Sequence, residues 1–385
     1  MTLFNKKVKE EYKKSKLNIN ISNSYKEFLD NLFQNIHTRY STPQIDITYN
    51  VSSSFPIIKE IYKKTVVEGI YVSSNIKHTL HKYKQVHYCN LDNNHIYYFS
   101  TKNTLSVKEK NIIEKALWRI KALKDFFNNN KEIHIGIYPT GFKKTINKIG
   151  KKLTPLGVNN VNSGMTYYRH GDVENGRIVI WRLEELNKVL IHELFHAIKV
   201  DMGLILNEDV FKTYMKANFK LNNFIGINES YIETLANIFN IIFVCLETKS
   251  TNEGNQQLIK RFNNNVKIEI FYSITKASQI LHYYGLSNLN ELIQNQHIQF
   301  IQNSNVFSYY ILKTFILCNF SSVISTLFTH KCLYNKLMIN MNKECSKNYL
   351  TIISKIYNKS IDNMITHIVQ RKLFINNSLR MTWCE

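Results

Sequence analysis

Residues 189–199 of the chain read VLIHELFHAIK. His192 and His196 are four positions apart, so on a helix they project from one face, one turn from each other. At this spacing both imidazoles can reach a single zinc ion at about 2.0–2.1 Å. Glu193 lies between them, where its carboxylate can take a proton from a metal-bound water. The stretch therefore predicts a helical zinc site with a built-in general base.

The residues around this motif are apolar, as a buried helix requires. They are Val189, Leu190, Ile191, Leu194, Phe195 and Ile198. We predict a helix from about residue 184 to residue 200, directly after a strand at residues 177–182. The alternative interpretation is a core helix whose two histidines are hydrogen-bonded and bind no metal.

A catalytic zinc usually has three protein ligands and one open position. The metzincin pattern places its third histidine six residues after the second, where this chain has Met202. Downstream, residues 226–233 read GINESYIE and begin an apolar helix with Glu229 and Glu233 on one face. Burying two carboxylates is costly unless they are paired or bind a metal. We therefore expect a metal ligand here; the alternative is a solvated helix face.

HExxH followed by Asn228-Glu229 and by Glu233 resembles the gluzincins, the thermolysin-like branch of the zincin metallopeptidases. The resemblance covers roughly residues 106–245. It implies hydrolysis of peptide bonds with one Zn²⁺ per chain, held by His192, His196 and Glu229. It also implies that Glu233 orients His192. The separation of His196 and Glu229 is longer than in thermolysin itself.

The family also uses a histidine or tyrosine of its helical C-terminal part to stabilise the oxyanion. Carried onto this chain, the resemblance favours Tyr309 and Tyr310, because the SYYILK stretch begins a strongly apolar helix. Tyr231, His282 and Tyr283 are further candidates for the same catalytic role.

In zincins an edge strand before the active-site helix pairs with extended substrate. The resemblance gives this role to residues 177–182, with Ile178 and Ile180 as substrate-binding positions. Asn162 and Gly164 are expected to add contacts near the cleft. The alternative is a plain core strand preceded by its loop.

The order of predicted elements gives the fold class. Ser106 and Glu109 form a capping-box pattern before a helix, strands are expected at 45–51, 95–99 and 132–138, and the pattern after residue 207 is helical. We expect an α+β fold: a zincin-like catalytic domain with a small mixed sheet and an active-site helix, then a largely helical C-terminal subdomain. The expected divisions are residues 1–104, an N-terminal α/β region of unknown role; 105–245, the catalytic core; and 246–385, a helical subdomain closing the cleft.

The chain is strongly basic, with 50 lysines and arginines against 29 acidic residues in 385, a formal charge of +21. Such an excess attracts acidic partners over long range. Expected partners are a peptide or protein substrate, acidic in character, and nucleic acid through the basic surface. The richness in Asn, Lys, Ile and Tyr is also what AT-rich microbial or large viral genomes encode. Genome bias alone is therefore an equal explanation of the charge.

The competing hypothesis is a basic nucleic-acid- or virion-associated protein whose zinc site is structural or relict. No helix-turn-helix, finger or RNA-binding pattern is visible, and the lysines are dispersed rather than striped. Six scattered cysteines and an N-terminus without an apolar segment favour a soluble intracellular protein, in host cytoplasm or a virion if viral. The apolar stretch 309–328 is interrupted by Lys313 and Asn319, so we expect a buried helix and no membrane span.

Overall fold

The computed structural model shows a mixed α/β protein with many helices and a small mixed sheet, which confirms the expected class at this level. The chain forms two compact units. The sheet unit comprises residues 32–144 and 162–199, and the helical unit comprises residues 1–31, 145–161 and 200–385. The structure describes residues 3–15, 19, 26–40, 49–51, 55–146, 154–169, 172–206, 208–209, 212–213, 226–250, 253–294, 300–321, 359–374 and 376–384.

The strands, in chain order, are β1 (Asn50–Val51), β2 (Gln85–Leu91), β3 (Asn94–Ser100), β4 (Ile133–Ile137), β5 (Leu156–Gly157), β6 (Gly164–Arg169), β7 (Asp172–Ile180) and β8 (Gln302–Asn303). The helices are α1 (Leu3–Ser15), α2 (Lys26–Tyr40), α3 (Pro56–Tyr62), α4 (Ser74–Leu80), α5 (Val107–Phe126), α6 (Val158–Val161), α7 (Leu186–Ala197), α8 (Met202–Leu206), α9 (Ile227–Glu247), α10 (Asn255–Tyr283), α11 (Leu289–Gln294), α12 (Lys313–Cys318) and α13 (Lys359–Gln370). Two π-helical segments, Lys63–Val67 and Phe307–Leu312, follow α3 and precede α12.

The main sheet has the strand order β1-β2-β3-β4-β7-β6. Strands β3, β4 and β7 are parallel, and the remaining neighbours are antiparallel. The strands predicted at 95–99 and 132–138 are confirmed as β3 and β4. Of the strand predicted at 45–51, the structure shows β1, while residues 45–48 lie outside the described part. Because β3 pairs with β4, the division expected at residue 104 falls inside one sheet.

Strand β7 is an interior strand of this sheet. Ile178 pairs with Ile135 on one side and with Thr166 on the other, and Ile180 is paired in the same way. Both isoleucines are fully buried. The expectation that residues 177–182 form the edge strand is therefore wrong, since their backbone groups are taken up within the sheet. In the part of the sheet that the structure describes, β6 stands at the end of the order.

The two faces of β6 have different partners, as alternation along a strand requires. Gly164, Thr166 and Tyr168 contact α7. Met165 and Tyr167 pack on the opposite face, against a core built from α3, α4 and the sheet. The strand thus joins the hydrophobic core on one side to the predicted active-site helix on the other.

Helix α5 begins as its sequence predicts. The backbone N–H of Glu109 donates to the Ser106 hydroxyl, and the backbone N–H of Ser106 donates to the Glu109 carboxylate at 2.8 Å. This reciprocal pair satisfies two N–H groups that a helix start leaves free. The capping box is confirmed, and it fixes the first turn of the helix that packs between β3 and α7.

The helical unit is organised around two long helices, α9 and α10, whose buried residues are mostly apolar. Among the described residues, α9 is long and apolar enough to cross a membrane by length and composition, but 89% of the relevant window is buried within the protein. That burial is the pattern of a core helix. The helix expected within residues 309–328 is present as the end of Phe307–Leu312 and α12, and residues 322–328 lie outside the described part.

An extended segment, residues 376–384, is bound to these helices through its main chain. The Tyr310 hydroxyl donates to the Leu379 carbonyl, and the Lys313 ammonium donates to the Met381 carbonyl, both at 2.5 Å. Both donor side chains are almost completely buried. Because buried donors need acceptors, the segment is an integral part of the helical core.

Glu269 of α10 is the acceptor that completes this attachment, and it is fully buried. Its carboxylate accepts from the Thr382 hydroxyl at 2.7 Å, from the Trp383 backbone N–H at 3.2 Å and from the Asn237 amide at 3.2 Å. Glu269→Ala removes the acceptor that these three donors share. We expect the free energy of unfolding to fall by about 3 kcal/mol, measured by urea denaturation.

Glu269→Gln keeps an acceptor oxygen and should lose clearly less stability than Glu269→Ala. If both variants unfolded at the wild-type urea concentration, the carboxylate would not be the group that holds the segment.

Candidate metal centre

Helix α7 carries the two histidines and the glutamate of the HELFH motif. It follows β7 after a five-residue connection, and nearly all of its side chains are buried. Gly176 of β7 lies directly under its last turn, where an added Cβ would come within 2.6 Å of the Ala197 Cβ. The absence of a side chain at Gly176 therefore lets the helix lie close against the sheet.

The two imidazoles converge at their Nε2 atoms. The distance between the Nε2 atoms of His192 and His196 is 3.2 Å, and the rings are inclined at 72° with centroids 4.9 Å apart. Two nitrogen ligands at 2.0–2.1 Å from a tetrahedral zinc lie about 3.3–3.4 Å from each other. His192 is 6% exposed. The pair therefore fits a zinc ion by its separation and donor type, and the same 3.2 Å also fits a hydrogen bond between the two rings.

Glu193 is held beside this pair by the neighbouring strand. The Thr166 hydroxyl lies 2.8 Å from Oε2 of Glu193 and 2.8 Å from its main-chain carbonyl oxygen. Two residues further along β6, the Tyr168 hydroxyl donates to the His196 carbonyl at 2.9 Å. Two hydroxyls of β6 thus fix the rotation of α7 and the position of its carboxylate. Thr166 and Tyr168 are two positions apart, so they lie on the same face of the strand. This spacing is the signal that could have identified them from the sequence.

Gly164 is required by the close approach of the same glutamate. An added Cβ at this position would lie 2.9 Å from Oε1 of Glu193 and 3.0 Å from a methyl carbon of Val189. The structure thus brings Gly164 to the candidate site as a position that makes room for Glu193. Asn162 is half-buried just before β6, whereas Ile178 is buried in the sheet interior.

The start of α7 is fixed by a fully buried ion pair. The Lys144 ammonium lies 2.8 Å from the Glu185 carboxylate, and both side chains are at most 1% exposed. Glu185 takes a left-handed backbone conformation, φ 62°, immediately before the helix. The neighbouring Glu184 accepts from the Lys144 backbone N–H at 2.6 Å. Burial, together with the Glu185 charge, raises the pKa of Glu184. Sequence reasoning did not find this pair, because its partners are distant in the chain.

The two predicted carboxylates lie in the first two turns of α9. Glu229 is half-buried and Glu233 is 1% exposed. Glu229 belongs to the helical unit, whereas His192 and His196 belong to the sheet unit. Imidazole and carboxylate are both side-chain types that zinc binds.

Glu233 has a cationic neighbour, since the Lys313 ammonium lies 4.0 Å from its Oε1 atom. Both side chains are 1% exposed. A buried carboxylate needs such compensation, so the lysine lowers the cost of placing an acid in the core of the helical unit. Sequence reasoning did not identify Lys313 as a partner of Glu233, because the two residues belong to different helices.

The two tyrosines predicted as catalytic differ in their surroundings. Tyr310 is fully buried and its hydroxyl donates to the Leu379 carbonyl, which makes it an anchor of the segment at residues 376–384. The catalytic role expected for Tyr310 stays a prediction, and its hydroxyl is engaged with the Leu379 carbonyl in this structure. Tyr309 is half-buried in the same π-helical segment, and its catalytic role stays a prediction.

Replacing Lys144 by methionine leaves Glu185 as a buried charge without its partner. We expect the free energy of unfolding to fall by about 3–5 kcal/mol, measured by chemical denaturation. Lys143→Met is the matched control, because Lys143 is exposed, and it should change the free energy by less than about 0.5 kcal/mol. Equal stability of the two variants would show that the ion pair does not fix the start of α7.

No protein-family model matches the chain, and no solved structure matches it. Over 210 residues, 52% of the chain, the sequence is 28% identical to Uncharacterized protein R210 of Acanthamoeba polyphaga mimivirus. The matched region is 51% of that protein, so the chain spans about half the length of the curated relative it matches. The chain is therefore similar to a viral protein whose name assigns it no activity.

Proposed function

We propose that the protein is a zinc-dependent metallopeptidase. The observation that carries the proposal is the 3.2 Å separation of the His192 and His196 Nε2 atoms, with the Glu193 carboxylate held in place next to them. A structural zinc site needs no carboxylate at that position. A hydrolase does, because a general base must accept the proton of the attacking water.

His192, His196 and Glu229 would hold one Zn²⁺, with Glu233 orienting His192. The 3.2 Å separation of the two imidazole Nε2 atoms supports the choice of the two histidines. The finer assignment to the gluzincin type of zincin rests on the sequence pattern of Glu229 and Glu233. A partner for the second imidazole nitrogen of a ligating histidine raises its basicity and fixes its tautomer.

When bound, zinc lowers the pKa of a coordinated water to about 7 and polarises the scissile carbonyl. The Glu193 carboxylate accepts the proton of the attacking water and passes it to the leaving amine. Thr166 keeps that carboxylate in one orientation through Oε2, so the base is in position before substrate arrives. Tyr309 is the proposed donor to the oxyanion.

The substrate would be an extended peptide that adds to the end of the sheet at β6. Strand addition of this kind uses main-chain hydrogen bonds, which bind many sequences. Thr166 lies on that strand and also contacts Glu193, so a paired peptide would run past the general base. The charge of +21 favours acidic peptides or protein tails as substrates. An intracellular setting, in host cytoplasm or a virion, belongs to the same proposal and is supported by similarity to a viral protein.

The alternative function is a basic nucleic-acid- or virion-associated protein with a structural or relict zinc site. The net charge and the viral relative favour it. The two functions differ in their need for Glu193, because binding of zinc or nucleic acid does not use a proton acceptor there.

The zinc content of the folded protein tests the proposed metal ligands. Folded wild-type protein should contain about one zinc per chain, measured by inductively coupled plasma mass spectrometry after dialysis. His192→Ala and Glu229→Ala should lose most of it, because each removes a ligand, and Glu233→Ala should weaken binding about 10- to 100-fold. His78→Ala, at an exposed position, should keep the wild-type content. Folded wild type that takes up no added zinc would end the metallopeptidase proposal.

Substitution of Glu193 tests its role as the general base. Glu193→Gln keeps the size of the side chain and removes its proton affinity. We expect cleavage of a pool of quenched fluorogenic peptides to slow about 100- to 10,000-fold, with zinc content unchanged. Glu68→Gln, an exposed surface change, is the control for loss of one carboxylate. If Glu193→Gln cleaved the peptides at the wild-type rate, this mechanism would be wrong. If the variant lost its zinc as well as its activity, the result would show only that the site had collapsed.

A further inference from the structure

A cleft of about 470 Å³ lies between the start of α2 and the exposed face of α10, within the helical unit. Three lysines line it: Lys26 from α2, and Lys260 and Lys267 from α10. The two lysines of α10 are seven residues apart, so they lie on the same face and about 10.5 Å apart along the helix axis. The fold thus gathers into one concave surface lysines that look dispersed in the sequence.

The rest of the lining is mostly carboxamide. Gln256, Asn263 and Asn264 contribute amide groups, and Ile259 is the apolar member. Each amide offers two N–H donors. The cleft therefore presents positive charge and hydrogen-bond donors together, and its lining contains no carboxylate.

The charge of the three cleft lysines is uncompensated within the described part of the chain. No carboxylate there forms an ion pair with Lys26, Lys260 or Lys267. The acid at the start of the same helix, Glu253, is already paired with Arg261 at 2.9 Å. Like charges facing one cleft repel each other, and a bound anion would relieve that repulsion.

The composition of the lining bears on how an anion would be bound. Lysine binds phosphate as a point charge, whereas arginine binds either a carboxylate or a phosphate through two parallel hydrogen bonds. Arg261, which follows Lys260 in the chain, is directed to Glu253 and to the carbonyls of Thr248 and Cys245. No aromatic ring lines the cleft, so it offers no platform on which a base could stack.

The size of the cleft and its position on α10 also bear on the ligand. Its volume falls within the range of small-ligand sites. Gln256 lies in the first turn of α10, where the positive end of the helix dipole favours an anion. We propose that this cleft binds a compact anion carrying several phosphate groups, either free or as part of a nucleic-acid backbone. This site is separate from the HELFH helix and does not depend on the peptidase proposal.

The test is isothermal titration of the full chain with sodium tripolyphosphate at fixed ionic strength. Wild type should bind saturably, with one ligand per chain. Lys260→Gln/Lys267→Gln should weaken binding at least about tenfold, since each change removes a charge-assisted contact. The matched control is Lys82→Gln/Lys84→Gln, which removes the same charge from two exposed lysines of the sheet unit and should bind as wild type does. Circular dichroism and thermal melting establish that all three proteins are folded.

Two further titrations identify the source of the phosphate. A short single-stranded oligonucleotide that binds more tightly than tripolyphosphate, and loses affinity in the cleft variant, assigns the site to nucleic-acid phosphates. Tighter binding of tripolyphosphate assigns it to a free phosphorylated ligand. Three results would overturn the proposal: no saturable binding of either ligand, an equal loss in the cleft and control variants, or cleft-dependent binding of a polyglutamate peptide as tight as that of the phosphates.

Discussion

Helix α7 and the sheet approach each other more closely than ordinary side chains allow, and the candidate site depends on that approach. Gly176 removes the side chain that would meet the last turn of the helix, and Gly164 removes the one that would meet Glu193. At that distance the Thr166 hydroxyl can reach the glutamate directly. A site held by short contacts to a rigid strand needs little reorganisation when it acts, which is the condition for efficient proton transfer.

Both units place ionisable groups in their interiors, and each group has a specific partner. The Glu185 carboxylate faces Lys144, and the Glu233 carboxylate has Lys313 as its cationic neighbour. Such pairs add little net stability compared with apolar residues, but removing one member is expensive. Their value lies in specificity, because a helix anchored by a buried pair has one register in which both charges are satisfied.

The sequence predicts local features well and sheet position poorly. Ser106 and Glu109 identify a helix start because the capping box needs only neighbouring residues. The HELFH spacing likewise predicts which side chains converge. Alternation in residues 177–182 predicts a strand but not its neighbours, so the interior position of β7 could not be inferred. The roles of Tyr310 and Lys144 depend on partners at least 41 residues away, and no local pattern contains that information.

The attachment of residues 376–384 has a kinetic consequence. Its hydrogen bonds join groups that are 69 and 144 positions apart in the chain. Donors such as Tyr310 and Asn237 are synthesised long before their carbonyl acceptors leave the ribosome. High contact order slows folding, and partly folded chains with exposed core surfaces tend to aggregate. The core of the helical unit therefore stays incomplete until residues 376–384 have been synthesised. Chaperone assistance would matter most during this interval.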